Sequence, residues 1–89
     1  MINLSKINIG DIFKIRENRS LFVFPVEFFD IEYVEGNDGR FVKGNTILVL
    51  ETKRFLKSRA DDYRFLVLLD GTLCAVSFRH DGVGNIDAI

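Results

Sequence analysis

The sequence predicts a small, mostly β domain, either a β-barrel or a sandwich, with five or six short strands and at most one short helix. Phe, Val and Ile dominate the apolar residues, and nine of the 89 residues are Phe. Such side chains favour strands over helices. Short apolar or alternating runs recur between turn signals rich in Gly, Asn and Asp. Several runs are apolar on both faces, and closure into a barrel would cover both faces.

Two strands are predicted before the single proline of the chain, Pro25. Residues 12–17 place Phe13 and Ile15 on one face of an extended chain and charged side chains on the other. After an Asn-Arg turn, residues 20–24 form a continuous apolar run, which is typical of a strand covered on both faces. Because Pro25 has no amide hydrogen to donate, the sheet is expected to have an edge, a bulge or a break there.

A third strand is predicted at residues 29–33, where apolar and acidic side chains alternate. The turn signal Gly-Asn-Asp-Gly follows at residues 36–39. A four-residue loop there places Glu35 opposite Arg40, which joins opposite charges. A two-residue loop is the alternative, but it places Glu35 opposite Val42. The longer loop is therefore favoured.

A fourth strand and the only helical candidate come next. Residues 46–51 form a run that is apolar on both faces. Residues 52–62 are the helical candidate, because Phe55, Arg59 and Tyr63 recur at helical spacing. A helix of about ten residues is marginal in isolation, so a turn or a basic loop is the alternative for these residues.

The clearest predicted element is a hairpin formed by residues 63–69 and 72–78. Asp70 and Gly71 lie between these two strands and suit a type I′ turn, in which both central residues need a positive φ. This turn sets the pairs Val67 with Cys74, Phe65 with Val76, Tyr63 with Phe78, Leu68 with Leu73 and Leu66 with Ala75. Because both faces are apolar, the hairpin is predicted to lie at the centre of the core.

Length and composition indicate a single β-barrel domain over residues 1–82, followed by a loose tail at residues 83–89. With one Cys and one His in the chain, an intrachain disulfide, a thiolate zinc cluster and a two-histidine metal site are excluded. Cys74 is interpreted as a buried strand residue and His80 as an exposed turn residue. No phosphate-binding loop or nucleophile elbow is present. We therefore predict no catalytic residue, no cofactor and no metal site, and expect that the protein is not an enzyme.

The location and charge of the protein follow from equally simple observations. No apolar run is long enough to span a membrane, and no signal peptide is recognised, so a cytoplasmic location without membrane contact is expected. The formal net charge of −1 argues against a strongly basic nucleic-acid-binding domain. This near-neutral total conceals two segregated segments. The acidic segment comprises Glu27, Asp30, Glu32, Glu35 and Asp38. The basic segment comprises Lys53, Arg54, Phe55, Lys57 and Arg59.

The two charged segments allow three interpretations. They can be solvated faces that neutralise each other's field. The acidic segment can instead dock a protein partner. The basic segment can bind single-stranded nucleic acid, with Phe55 stacking on a base, although Phe55 can equally anchor the segment on the barrel. The leading hypothesis is a non-enzymatic module that acts by protein–protein contact, and the alternative is a nucleic-acid-binding module. A homodimer stays open, because the first and last strands of an incompletely closed barrel leave pairing edges.

Two short motifs carry a resemblance to a known fold. Residues 7–15, Ile-Asn-Ile-Gly-Asp-Ile-Phe-Lys-Ile, resemble the first strand of many SH3-like barrels, where a Gly-Asp pair precedes the strand. Residues 69–73, Leu-Asp-Gly-Thr-Leu, resemble the late hairpins of such barrels. In its compact, Phe-rich style the chain is also similar to small early proteins of T-even-like bacteriophages, which bind and redirect host proteins. These resemblances imply an SH3-like barrel and a phage-encoded factor that binds or inhibits a host protein in the host cytoplasm.

Overall fold

The computed structural model describes residues 2–31, 38–55, 62–78 and 82–89. Its strands are β1 (Ile12–Ile15), β2 (Leu21–Phe24), β3 (Arg40–Val42), β4 (Thr46–Phe55), β5 (Asp62–Leu69), β6 (Thr72–Phe78) and β7 (Ile86–Ala88). Short 3-10 helices cover Leu4–Lys6, Val26–Asp30 and Gly82–Asn85. The strands form one antiparallel sheet in the order β3-β2-β6-β5-β4-β1-β7. The prediction of a mostly β, barrel-like fold is confirmed, with seven strands instead of five or six.

The core lies on one face of this curled sheet, which we call the inner face. Alternating strand residues such as Phe13 and Ile15 in β1 point inward and are buried. Residues of all the longer strands join them in one apolar cluster, which includes Val23, Ile47, Val49, Phe65, Val67, Val76 and Phe78. The opposite, outer face carries a smaller apolar cluster, which is centred on Phe24, Phe29 and Ala75.

A 3-10 helix over Val26–Asp30 occupies part of the region where we predicted a strand at residues 29–33. The prediction is wrong for Phe29 and Asp30, and Ile31 caps the 3-10 helix without belonging to a strand. Residues 32–33 lie outside the described part of the chain, as do the predicted partner Glu35 and residues 36–37 of the loop. The physical cause is the neighbouring pair Phe28 and Phe29. Both rings pack on the outer face, whereas a strand would point one of them away. The turn is closed by the Phe28 amide, which donates to the Pro25 carbonyl at 3.0 Å.

The strand β4 continues through Phe55, so the helical candidate at residues 52–62 is wrong for its first four residues. This part of β4 pairs with β5, from Thr52 opposite Phe65 to Phe55 opposite Asp62. The register shifts between Val49 and Glu51, as a β-bulge does. Asp62 is already in β5, and residues 56–61 lie outside the described residues.

The β5–β6 hairpin has the predicted register in all five pairs. Asp70 has φ 48° and Gly71 has φ 87°, as a type I′ turn requires. The Asp70 carboxylate also accepts hydrogen bonds from the amides of Asn45 at 2.9 Å and Thr46 at 3.0 Å. These hydrogen bonds hold the pKa of Asp70 below its ordinary value and tie the turn to the start of β4.

Gly71→Val is expected to destabilise the protein by roughly 2 kcal/mol, because a β-branched residue is penalised at positive φ. A Cβ at Gly71 would have no atom within 4 Å, so the loss comes from the backbone and not from a clash. Thermal unfolding, followed by circular dichroism, measures this loss of stability. Gly71→Asn is the control, since Asn tolerates the left-handed region, and it should lose much less. Equal stability of the Val variant and the wild type would contradict the turn assignment.

The prediction that residues 83–89 form a loose tail is wrong, because residues 86–88 form β7 and pair with β1. Ile86 is only 1% exposed and belongs to the inner core. Outside the core, Arg16 and Asp87 form an exposed ion pair at 2.8 Å. Burial of Ile86 and pairing with β1 together place the last strand on the sheet.

Candidate functional site

A line of apolar side chains crosses the outer face of the sheet at right angles to its strands. The register pairs Ile12 of β1 with Leu48 of β4, Leu48 with Leu68 of β5, and Leu68 with Leu73 of β6. Directly opposed residues point to the same face, so these four side chains form a continuous row, which we call the outer row. Ile12 is 50% exposed and Leu73 is 46% exposed, while Leu48 and Leu68 between them are half-buried.

Further exposed apolar side chains come near both ends of the outer row. Ile89 follows Ala88, which pairs with Phe13 beside Ile12, and Ile89 is largely exposed. Val26 begins the 3-10 helix that packs on β6 and is also exposed. From the sequence, the apolar outer residues of the hairpin were expected to be covered by barrel closure. The sheet covers its inner face, while the 3-10 helix covers the outer face around Phe24 and Ala75 and leaves the outer row open to solvent.

Two members of the acidic segment, Glu27 and Asp38, lie near the Leu73 end of the outer row. Glu27 is exposed in the 3-10 helix, one residue after Val26. Asp38 is exposed and lines a cavity of about 330 Å³ that Leu73 also lines. Asp30 is exposed but accepts a hydrogen bond from Lys53 at 2.8 Å. Two further members of this segment, Glu32 and Glu35, lie outside the described residues.

The basic segment is partly engaged within the protein. Lys53 pairs with Asp30, so the two charged segments touch. The Lys53 ammonium also lies 5.4 Å from the centre of the half-buried Phe55 ring. Arg54 is exposed, with its guanidinium 5.3 Å from the Tyr63 ring centre. The other two members, Lys57 and Arg59, lie outside the described residues.

A buried polar cluster, which the sequence analysis missed, fastens the 3-10 helix to the sheet. Arg64 in β5 is 1% exposed and donates to the carboxylate of Asp62 at 2.8 Å. Asp62 also accepts from the Ser77 hydroxyl at 2.6 Å. The guanidinium of Arg64 donates to the Phe28 carbonyl at 2.8 Å and to the Ile31 carbonyl. The alternation of the predicted hairpin places Arg64 opposite Ser77 on the outer face. No local sequence pattern indicates, however, that the carbonyls of Phe28 and Ile31 accept hydrogen bonds from Arg64.

The same cluster positions Phe55. The Arg64 guanidinium lies 4.7 Å from the centre of the Phe55 ring, within the range of a cation–π interaction. The ring thus contacts both a buried arginine and the Lys53 ammonium. This arrangement favours the interpretation of Phe55 as an anchor on the sheet over a free stacking surface for a base.

The sequence also singled out Cys74 and His80. Cys74 is buried, and burial raises the pKa of its thiol although the nearby Arg40 acts in the opposite direction. His80 lies outside the described residues. In the described part of the chain no three His, Cys, Asp or Glu side chains are grouped to hold a metal ion. No helix formed by the described residues has the length and apolar character to cross a membrane.

Comparison with known protein families, curated proteins and solved structures gives no match to this chain.

Proposed function

We propose that this protein is a non-enzymatic binding module that contacts a protein partner through the outer row. The observation that carries the proposal is the alignment of Ile12, Leu48, Leu68 and Leu73 across four neighbouring strands, with exposed side chains at both ends. Isolated exposed apolar residues are ordinary, whereas a contiguous apolar patch marks an interaction surface.

Two acidic side chains form a polar rim at the Leu73 end of this surface. They are Glu27 and Asp38 of the acidic segment, and both are exposed. A partner that fits presents an apolar strip with Lys or Arg beside it. Burial of the strip supplies affinity, and the acidic rim increases the rate of association and excludes acidic competitors.

The proposal also includes the type of barrel and the origin of the protein. The Gly-Asp pair before β1 and the Asp-Gly hairpin support an SH3-like barrel, and the resemblance to small phage proteins supports a factor that binds or inhibits a host protein in the host cytoplasm. The nucleic-acid alternative through the basic segment has less support. Lys53 is paired with Asp30, and Arg64 lies against the Phe55 ring.

The test compares proteins retained from a lysate by the tagged wild type and by Ile12→Glu, Leu73→Glu and Ile9→Glu. Ile9 is a matched control, because it is also an exposed isoleucine but lies outside the outer row. We expect that a protein partner is retained even after nuclease treatment. The wild type and Ile9→Glu should retain equal amounts of this partner, and each row variant should bind it at least tenfold more weakly. Glu27→Lys should slow association with the same partner. Circular dichroism verifies that every variant is folded.

Two other outcomes contradict this proposal, and a third changes the identity of the partner. Equal retention by all variants removes the outer row from the interface. Retention that nuclease abolishes promotes the nucleic-acid alternative, which titration of labelled single-stranded RNA and DNA with wild type and Phe55→Ala then tests. Sedimentation of the wild type as a dimer and of the row variants as monomers makes the partner a second copy of this chain.

A further inference from the structure

The strand β3 ends the sheet and presents an unusual set of side chains. Among the described strands it pairs only with β2. Phe41 in its middle is 74% exposed, although its ring lies 4.8 Å from that of Phe22. Arg40 and Lys43, on either side of Phe41 and Val42, are exposed as well. This surface is distinct from the outer row, because Phe24 and Ala75 lie between the two and are covered by the 3-10 helix.

Two cations, Arg40 in β3 and Lys43 directly after it, are available to a ligand. Neither Arg40 nor Lys43 forms an ion pair with another described residue, in contrast to Lys53 of the basic segment. Asp38, two residues before β3, already has an interaction of its own. Edge strands commonly carry cations to prevent pairing with other strands. An aromatic ring that is three-quarters exposed does not serve that protective role, because it adds apolar surface to the edge.

We propose that β3 is a strand-addition site for an extended acidic peptide segment of a partner protein. The outer edge of β3 offers backbone groups to which a peptide can pair as an eighth strand. Phe41 contacts an apolar peptide side chain on the outer face, and Arg40 and Lys43 attract its carboxylates. Gly39 and Arg40 line the cavity of about 330 Å³. The cavity therefore lies beside the proposed site and can accept a side chain of the peptide.

The charge on β3 decides between possible occupants. A second copy of β3 would bring the same two cations together across the new pair, which like-charge repulsion disfavours. Single-stranded nucleic acid would also use cations and an exposed ring, but it does not use the unpaired backbone of a strand edge. An acidic peptide uses the cations, the ring and the backbone edge together.

Selection from a random library of displayed 12-residue peptides tests this site without a known partner. The probes are then the selected peptides, labelled with fluorescein and measured by fluorescence anisotropy against the wild type. We expect enriched peptides to be acidic with alternating apolar residues, and to bind more weakly as salt increases. Methylation of alternate backbone nitrogens in the peptide should weaken binding at least tenfold, because these nitrogens can no longer donate to β3.

Protein variants provide the matched controls. Arg40→Glu and Lys43→Glu should each weaken binding about tenfold, and Phe41→Ala should do the same, while Ile12→Glu in the outer row, which is separated from β3 by four strands and lies outside the cavity, leaves the affinity unchanged. The proposal is overturned if no acidic peptide is enriched, if N-methylation has no effect, or if a 12-nucleotide oligothymidylate binds more tightly than every peptide. Loss of binding in Ile12→Glu alone would assign the peptides to the outer row instead, which separates this test from that of the proposed function.

Discussion

Asp62→Ala is expected to lower the free energy of unfolding by about 3–5 kcal/mol, because it leaves the Arg64 guanidinium buried without its carboxylate. Arg64 is 1% exposed, so water cannot replace the lost partner. The Ser77 hydroxyl also loses its acceptor. Since small domains have a total stability of about 5–15 kcal/mol, this single change removes a large part of it. Urea unfolding followed by circular dichroism measures the effect.

Two further variants keep this prediction testable even if Asp62→Ala does not fold. Asp62→Asn retains volume and an acceptor for Ser77, so its loss should be smaller. Combining Asp62→Ala with Arg64→Met removes both charges and should restore part of the stability. The control is Asp87→Ala, whose ion pair with Arg16 is exposed and should matter little. Similar losses at Asp62 and Asp87 would show that the Arg64 cluster is not buried as described.

Phe65→Ala is expected to cost about 3–5 kcal/mol, as large-to-small changes of a buried aromatic do. Phe65 is 2% exposed in the inner core, and its ring centre lies 5.6 Å from that of Phe78. The removal of the ring leaves a cavity that the surrounding strands cannot fill without moving. Urea unfolding measures the stability of this variant. Its near-ultraviolet circular dichroism spectrum verifies that the variant is still folded in the absence of urea.

Phe41→Ala is the matched control for this second prediction. The substitution is the same, but Phe41 is exposed on β3, so the loss should be no more than about 1 kcal/mol. Comparable losses at the two positions would contradict the assignment of Phe65 to the core and of Phe41 to the edge.

Local chemistry explains which parts of the fold could be predicted. The Asp70-Gly71 turn depends on two adjacent residues that tolerate positive φ, so the register of β5 and β6 follows from the sequence. The 3-10 helix could not be predicted in the same way. Phe29, Asp30 and Ile31 alternate as a strand does, and the helical turn becomes preferable through tertiary contacts, namely packing on Phe24 and Ala75 and hydrogen bonds from Arg64.

The remaining errors have causes that are distant in the sequence. The bulge in β4 between Val49 and Glu51 changes the phase of its alternation, which hides the strand from residue 52 onward. The pairing of β7 with β1 joins opposite ends of the chain. The acidic residues of the candidate site were recognised by charge alone, whereas the outer row required the strand order, because its members come from four separate strands.

The two-residue turn between β5 and β6 also has a kinetic consequence. Its loop-closure entropy is small, so this hairpin can form on the microsecond timescale. The contact between Arg16 and Asp87, by contrast, spans 71 positions of the chain. Contacts of such sequence separation slow folding and form late. We therefore expect nucleation at the centre of the sheet and growth outward, with β3 and β7 the last strands to join and the first to fray.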